Sequence, residues 1–140
     1  MRVDAIVNGT VIDHITAGRG MKLYELLALE EVEAPVAIMM NVSSGKMGRK
    51  DIIKIDGEVP LNLDVIGYVD PGATVNVIRE GKLAEKKNIP MPEELRGVIR
   101  CKNPRCVSTT EQELPQIFLL TDREKKEYRC AWCETKAGGL

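Results

Sequence analysis

Four cysteines near the C-terminal end of the sequence have the spacing of a metal site. Cys101 and Cys106 form one close pair and Cys130 and Cys133 form another, in the pattern C-x4-C-x23-C-x2-C. Each pair can hold a metal ion from one tight turn, and two such turns complete a tetrahedron of four thiolates, which suits zinc. Because four cysteine ligands leave no position for water or substrate, the sequence predicts one structural zinc ion per chain.

Two other interpretations of these cysteines remain open. The string CAWC at residues 130–133 also fits a redox dithiol, although that interpretation leaves Cys101 and Cys106 without a role. Four thiolates could instead hold an iron–sulfur cluster. We expect a reducing compartment, where cysteines more often bind metal than form disulfides, and structural zinc is therefore the preferred interpretation.

The composition excludes several classes of protein. A formal net charge of -1 gives no overall basic field for nucleic acid, and one Trp, three Tyr and one Phe offer few rings for base stacking. We find no secretory signal at the N-terminus and no run of ~20 apolar residues that could span a membrane. These features predict a cytoplasmic protein that binds neither membranes nor nucleic acid.

Hydrophobic periodicity predicts the elements that must position any site in the first 79 residues. Asn8-Gly9 is a turn signal between two short extended pieces, and Met39 and Met40 are expected in the core. The predicted elements are strands at 3–6 and 10–12, a helix at 21–32, strands at 36–42 and 50–55, a weaker helix at 60–69 and a strand at 73–79. The order strand, helix, strand, strand, helix, strand is the ferredoxin-like βαββαβ arrangement.

The rest of the chain predicts a second, smaller domain. Residues 80–97 lose periodicity and contain prolines and glycines among charges, so we interpret them as a linker or a loosely packed crossover. The segment after them is too small to bury an adequate core unaided, and the metal site would staple it. We therefore predict an α+β protein with a domain at 1–92 and a small all-β zinc domain of the ribbon or rubredoxin-like kind at 93–140.

Several strings in the N-terminal half occur in a recognisable order. GTVIDHI at 9–15 is followed by SGKMGRKD at 44–51, IKI at 53–55, ATVN at 73–76 and then the cysteine pairs. In these strings and their order, nearly the whole chain resembles the regulatory chain of aspartate carbamoyltransferase. The resemblance implies an N-terminal domain that binds the effectors ATP, CTP or UTP and forms regulatory dimers. It also implies a zinc domain that contacts the catalytic chain, within an assembly of catalytic trimers and regulatory dimers.

The same resemblance implies a function without catalysis. The enzyme built by the catalytic chain joins carbamoyl phosphate to aspartate, the committed step of pyrimidine synthesis, and the regulatory chain has no active site of its own. This chain is accordingly expected to be a non-catalytic allosteric subunit. It would transmit feedback control of pyrimidine biosynthesis to the catalytic chain.

The family's nucleotide site can be carried over to matching positions of this sequence. The resemblance implies that Lys54 and Lys86 contact phosphates, that Lys50 lies near the ribose, and that Asp13 binds the ribose. The remaining matches are His14 beside Asp13, Asn76 and Ile78 on the strand that lines the pocket, and Ala5 and Ile6, whose backbone would read the base. Lysines supply mobile point charges for a triphosphate, although any one of them alone would be interpreted as a solvated surface group.

Two rival functions are suggested by the residues alone. A zinc-ribbon nucleic-acid-binding protein is supported by basic residues around the cysteines, namely Arg96, Arg100, Lys102, Arg105 and Arg129. A small enzyme is the other rival, but a single histidine and a closed metal site provide no evident catalytic group.

Overall fold

The computed structural model describes residues 5–138. The chain divides into two compact units, Met1–Pro90 and Met91–Leu140. Among the described residues, no helix is long and apolar enough to cross a membrane.

The N-terminal unit is an antiparallel sheet with two short helices. Its elements are β1 (Gly9–Thr16), α1 (Gly20–Leu26), β2 (Val36–Ser44), β3 (Gly48–Ile55), α2 (Leu63–Val69), β4 (Thr74–Arg79) and β5 (Lys82–Asn88), with a 3-10 turn at Leu29–Glu31. The strand order is β2-β3-β1-β4-β5. The predicted ferredoxin-like βαββαβ arrangement is confirmed, and β5 extends its sheet by a fifth strand.

Alternation along the strands gives this sheet one apolar face and one polar face. Ile53 on β3 pairs with Ile12 on β1, which pairs with Val75 on β4, and all three side chains are almost fully buried. The helices add Leu23 and Ile66 to this core. Residues one position away along each strand, Lys54, Val11 and Asn76, therefore lie together on the opposite face.

The prediction for the start of the chain is wrong in detail. Of the predicted strand at 3–6, Val3 and Asp4 lie outside the described residues, and Ala5 and Ile6 belong to no strand. Gly9 does not form a turn but begins β1, where a side chain could not fit, because a Cβ there would lie 2.1 Å from the carbonyl oxygen of Ile55. Glycine is required by this close backbone approach, which the sequence alone does not distinguish from a turn.

The interpretation of residues 80–97 as a linker or crossover is also wrong. The segment contains β5, and it contains β6 (Glu94–Arg96) in the second unit. β5 is an edge strand whose seven side chains are all exposed, so its sequence shows no apolar alternation. Its pairing with β4 comes from backbone hydrogen bonds, which leave no hydrophobic pattern in the sequence.

Smaller differences concern the helices and the methionines. The helix predicted at 21–32 ends at Leu26, because Ala28 takes a left-handed φ of 53° before the 3-10 turn. The helix predicted at 60–69 begins at Leu63, where the side chain of Asn62 accepts a hydrogen bond from the amide of Asp64. Met40 is 51% exposed in the chain and Met39 is only partly buried, so neither belongs to the buried core.

The C-terminal unit is built on a three-stranded antiparallel sheet. Its order is β6-β7-β8, with β7 at Ile117–Asp122 and β8 at Glu127–Cys130, and one helical turn, α3, at Val107–Thr110. Leu95, Phe118 and Tyr128 contribute one buried side chain from each strand. This core is small, and the predicted small β domain with four clustered cysteines is confirmed.

Candidate functional sites

The four cysteines of the C-terminal unit converge on one point. The sulfur atoms of Cys101, Cys106, Cys130 and Cys133 all lie within 4.8 Å of one another. The Sγ atoms of Cys101 and Cys133 are 3.6 Å apart, and those of Cys106 and Cys130 are 3.7 Å apart. Four sulfurs around a tetrahedral zinc at ~2.3 Å would lie about 3.8 Å from each other, so the cluster fits a structural metal ion.

Neighbouring polar side chains hold the cysteine loops in place. The side chain of Gln116 accepts a hydrogen bond from the amide of Cys101 at 2.8 Å and donates one to the carbonyl oxygen of Ser108 at 2.9 Å. The Ser108 hydroxyl lies 3.0 Å from the sulfur of Cys106, and the Thr135 hydroxyl lies 3.1 Å from that of Cys133. Such outer contacts orient the ligands of a metal site.

The electrostatics of the cluster favour a cation at its centre. Burial, together with the neighbouring sulfur atoms of Cys130 and Cys133, raises the pKa of the Cys101 thiol to about 12. Hydrogen bonds from the side chain and the backbone of Thr135 instead lower the pKa of Cys133 to about 6. One thiolate therefore forms readily, whereas four adjacent thiolates require a compensating positive charge, which a divalent metal ion supplies.

On the polar face of the N-terminal sheet, four strands contribute to one cross-strand row. Lys54 on β3 pairs with Val11 on β1, Val11 pairs with Asn76 on β4, and Asn76 pairs with Lys86 on β5. At ~4.8 Å per strand, the backbones of Lys54 and Lys86 lie about 14 Å apart. The flexible side chains of Lys54 and Lys86 thus lie at the two ends of this row, with the amide side chain of Asn76 between them.

A polar cluster lies further along the same face. The Nζ atom of Lys50 lies 3.0 Å from Oδ1 of Asp13, and both side chains are mostly buried. Burial opposes ionisation of Asp13, but the hydrogen bonds from Lys50 and from the His14 amide outweigh it and lower the pKa of the carboxyl. His14 has a left-handed φ of 57° within a bulge of β1, and its Nδ1 lies 3.2 Å from the Thr74 hydroxyl.

A cavity of about 230 Å³ lies next to Lys54. Ala5, Ile6 and Asp56 also line it. The other lining residues are Pro35, Val36 and Ala37 from the start of β2. The walls are mostly apolar, and this volume is below the ~300–1,000 Å³ typical of pockets for a whole drug-sized ligand, so the cavity suits a small, mostly apolar group.

Most of the residues singled out from the sequence therefore share one side of the N-terminal sheet. Ala5, Ile6 and Lys54 surround the cavity. Ile78 lies two positions after Asn76 on β4, on the same face. Sequence reasoning missed Asp56 and the start of β2 as lining residues. In the sequence, Asp56-Gly57 indicates only the end of a strand, and no local signal shows that Asp56 faces a cavity.

Comparisons with known proteins agree for both units. The family model described as the aspartate carbamoyltransferase regulatory chain, allosteric domain, matches residues 1–90. The model described as the metal binding domain of the same regulatory chain matches residues 93–139. The two matches cover the units that hold the cavity and the cysteine cluster, respectively.

Curated relatives match over nearly their full length. The chain is 45% identical over 135 residues to an aspartate carbamoyltransferase regulatory chain of Clostridium tetani, which covers 96% of this chain and 94% of the relative. It is 46% identical to that of Clostridium acetobutylicum, with 96% and 92% covered. It is 45% identical to that of Bifidobacterium longum, with 98% and 99% covered. The chain belongs to the family of aspartate carbamoyltransferase regulatory chains.

Proposed function

We propose that this chain is a non-catalytic allosteric subunit that binds ATP, CTP and UTP in its N-terminal domain, residues 1–92. The zinc domain, residues 93–140, binds one structural zinc ion and docks a catalytic chain of aspartate carbamoyltransferase. Effector binding then exerts feedback control on pyrimidine biosynthesis in the cytoplasm. Membership of the regulatory-chain family supports the regulatory role.

The observation that carries the effector site is the row from Lys54 to Lys86 beside an apolar cavity. A nucleoside triphosphate combines a flat base with a highly charged tail, and the N-terminal sheet offers a separate place for each. The base enters the cavity near Ala5 and Ile6, while Lys54 and Lys86 bind the phosphates. Lys54 contributes to both places, so the two parts of one ligand can be bound at the same time.

Further along the same face, the Asp13–Lys50 pair suits the ribose. The carboxylate of Asp13 can accept hydrogen bonds from ribose hydroxyls, and its lowered pKa keeps it ionised at neutral pH. The Nζ atom of Lys50 lies 3.0 Å from Asp13, and Lys50 is four positions from Lys54 on the same strand. We assign its long side chain to the ribose or the first phosphate. We assign His14, beside Asp13, and Ile78, on the other side of the Lys54–Lys86 row, to the same effector site.

Zinc is the metal that the cysteine cluster fits best. Four thiolates close the tetrahedron, so the ion supplies folding energy to a small domain rather than catalysis. The ligands are Cys101, Cys106, Cys130 and Cys133, whose sulfur separations of 3.6 and 3.7 Å suit that geometry.

Exposed apolar residues support two protein partners. In the zinc domain, Trp132 is 42% exposed and its indole N–H donates to the carbonyl oxygen of Pro115, which fixes the ring beside the metal ligands. We assign the catalytic chain to this side.

In the N-terminal domain, β2 is an edge strand with Met40 exposed. Edge strands of this kind pair readily, and we assign a second copy of the chain to β2.

The rival function as a nucleic-acid-binding protein has less support. Arg96 pairs with Glu94 at 3.2 Å, and Arg129 pairs with Glu127 at 3.3 Å. Two of the five basic residues that favoured this function are thus partly neutralised within the chain. A salt-dependent gel-shift assay tests it, and tight, salt-sensitive binding to DNA or RNA would favour the rival over the regulatory role.

The proposal is tested by calorimetric titration of the purified chain with ATP and with CTP, together with an assay for carbamoyl transfer. We expect saturable binding of both nucleotides and no turnover. Reconstitution with catalytic trimers should then make the response to aspartate depend on CTP. Absence of nucleotide binding in a folded, zinc-loaded chain would overturn the proposal.

A further inference from the structure

The turn between β4 and β5 contacts the segment that precedes β1. Glu80 and Gly81 form this two-residue turn, and their φ angles of 53° and 75° are those of a type I′ turn. The amide of Gly81 donates to the carbonyl oxygen of Val7 at 2.9 Å. The amide of Glu80 donates to Oδ1 of Asn8 at 3.1 Å. Both hydrogen bonds leave the hairpin and reach the neighbouring segment.

These two contacts hold the chain directly after the residues that form one wall of the cavity. Ala5 and Ile6 line the cavity beside Lys54 but belong to no strand, so they lack the regular ladder that positions the rest of the sheet. Gly9, which comes after them, is held close to the end of β3. Residues 7 and 8 connect these points, and the turn fixes both of them, one through a backbone carbonyl and the other through a side chain.

The first position of this turn holds a residue that is unusual for a type I′ turn. Type I′ turns favour Asn-Gly or Asp-Gly, because the first residue must also adopt a positive φ. Glutamate at position 80 is disfavoured in that conformation. The hydrogen bond from its amide to Asn8 compensates, so the conformation of the turn and the position of the segment depend on each other.

We infer that Asn8 is a positioning residue for the base: by accepting the Glu80 amide it fixes Ala5 and Ile6 against the cavity and sets the base-dependent part of effector affinity. The inference rests on the proposed effector site and adds to it a determinant of base recognition. Asn8 itself touches neither the cavity nor the lysines of the row among the described contacts. Its removal should therefore affect the base and spare the phosphates.

The experiment compares three probes on the full-length chain: ATP, CTP and inorganic tripolyphosphate, each titrated by calorimetry. Asn8→Ala should weaken binding of both nucleotides by up to about 3- to 10-fold, the most that losing one neutral hydrogen bond that orders the segment can cost, and change tripolyphosphate binding by less than about twofold. Asn8→Asp keeps the acceptor oxygen. Its added charge acts on all three anions, so the ratio of nucleotide to tripolyphosphate affinity should return to that of the unaltered chain.

Asn62→Ala is the matched control, because it removes the same kind of contact at the same length, from the amide of Asp64 at the start of α2. It should leave all three affinities unchanged. Amide hydrogen exchange supplies an independent readout: Glu80 should lose protection in Asn8→Ala and regain it in Asn8→Asp.

The outcomes separate the inference from the proposed function. An unaltered chain that binds neither nucleotides nor tripolyphosphate would remove the effector site and this inference with it. Nucleotide binding by the unaltered chain, combined with an unchanged nucleotide-to-tripolyphosphate ratio in Asn8→Ala, would overturn the inference alone. So would full protection of the Glu80 amide in that variant.

Discussion

Lys54 and Lys86 lie at the two ends of one cross-strand row, although 31 positions separate them in the sequence. Val11 and Asn76 stand between them in consecutive register. The sheet thereby places two cations on one face beside the cavity. The proposed effector site depends on this relationship more than on any other.

Because of this register, we expect the adjacent lysines Lys86 and Lys87 of β5 to contribute differently to nucleotide affinity. Lys86 pairs with Asn76 on the polar face, whereas Lys87 pairs with Val75, whose side chain is on the apolar face. Lys86→Ala should weaken ATP and CTP binding by about 10- to 150-fold, the loss of one charged hydrogen bond of ~1.5–3 kcal/mol. Lys87→Ala should change affinity by less than about twofold. Equal losses in the two variants, measured by calorimetry, would contradict the register as the basis of the site.

Lys54→Ala should be at least as damaging as Lys86→Ala, because Lys54 borders both the row and the cavity. We expect a loss of about 10- to 150-fold for ATP and CTP. Zinc content, measured by elemental analysis of the same sample, should stay at one ion per chain, since the cysteines belong to the other unit. Unchanged calorimetric affinity would remove Lys54 from the site.

The ion pair between Asp13 and Lys50 predicts opposite effects on two ligands. In Asp13→Ala, the ribose loses an acceptor while Lys50 loses its partner and becomes free for phosphate. Nucleotide affinity should fall by about 3- to 10-fold, whereas tripolyphosphate affinity should stay or rise. A parallel loss for both ligands would instead mean that Asp13 acts by holding the fold of the β1 bulge.

The pKa values of the cysteine cluster predict how zinc affinity depends on pH. Cys101, with its pKa raised to about 12, carries a proton at neutral pH that zinc must displace. Cys133, with its pKa lowered to about 6, is mostly ionised at pH 7 and releases none. As the pH falls through about 6, Cys133 becomes protonated and a further proton must be displaced. The apparent affinity should therefore fall more steeply with acidity below pH 6 than above it.

Competition with a chromophoric chelator across pH 5–8 measures this slope. Thr135→Val is the informative variant, because the hydroxyl that lies 3.1 Å from the Cys133 sulfur is lost. The steepening should move to higher pH in Thr135→Val. If zinc affinity in the unaltered chain changes with pH at a constant slope through pH 6, the lowered pKa of Cys133 is contradicted.

Removal of the metal should unfold one unit and spare the other. A thiol-reactive mercurial should eject one zinc per chain and abolish the amide protection of residues 98–140, because the small core around Phe118 is insufficient without the ion. Nucleotide affinity in the N-terminal unit should change by less than about twofold. A folded, freshly purified chain that contains no metal would refute the zinc site.

The sequence predicted the parts of this structure that depend on local pattern. The change from alternating to helical periodicity identified the βαββαβ order, and paired cysteine spacing identified the cluster of Cys101, Cys106, Cys130 and Cys133. The strand β5 was not predictable in the same way, because an exposed edge strand needs no apolar alternation. Its existence depends on backbone pairing with β4.

The pairing register of distant strands could not be predicted from the sequence either. That Lys54 and Lys86 share a face is a result of three strand pairings, and no local feature of either lysine reveals them. The resemblance to a family implied that both lysines contact phosphates, but it gave no geometric reason. Asp56 at the cavity and Asn8 at the β4–β5 turn were missed, since each acts through a neighbour that is distant in sequence.

We propose that effector binding in the N-terminal domain is coupled to a catalytic chain docked on the zinc domain. Coupling is reciprocal, so a substrate analogue bound to the catalytic chain must change nucleotide affinity by the same factor by which the nucleotide changes analogue affinity. The most direct measurement is a titration of the assembled complex with CTP and with ATP, in the presence and absence of a bisubstrate analogue. We expect a shift of about 5- to 150-fold in affinity for at least one nucleotide, the range of typical couplings of ~1–3 kcal/mol. Identical affinities in both titrations, with both sites occupied, would show that the chain binds effectors without transmitting them.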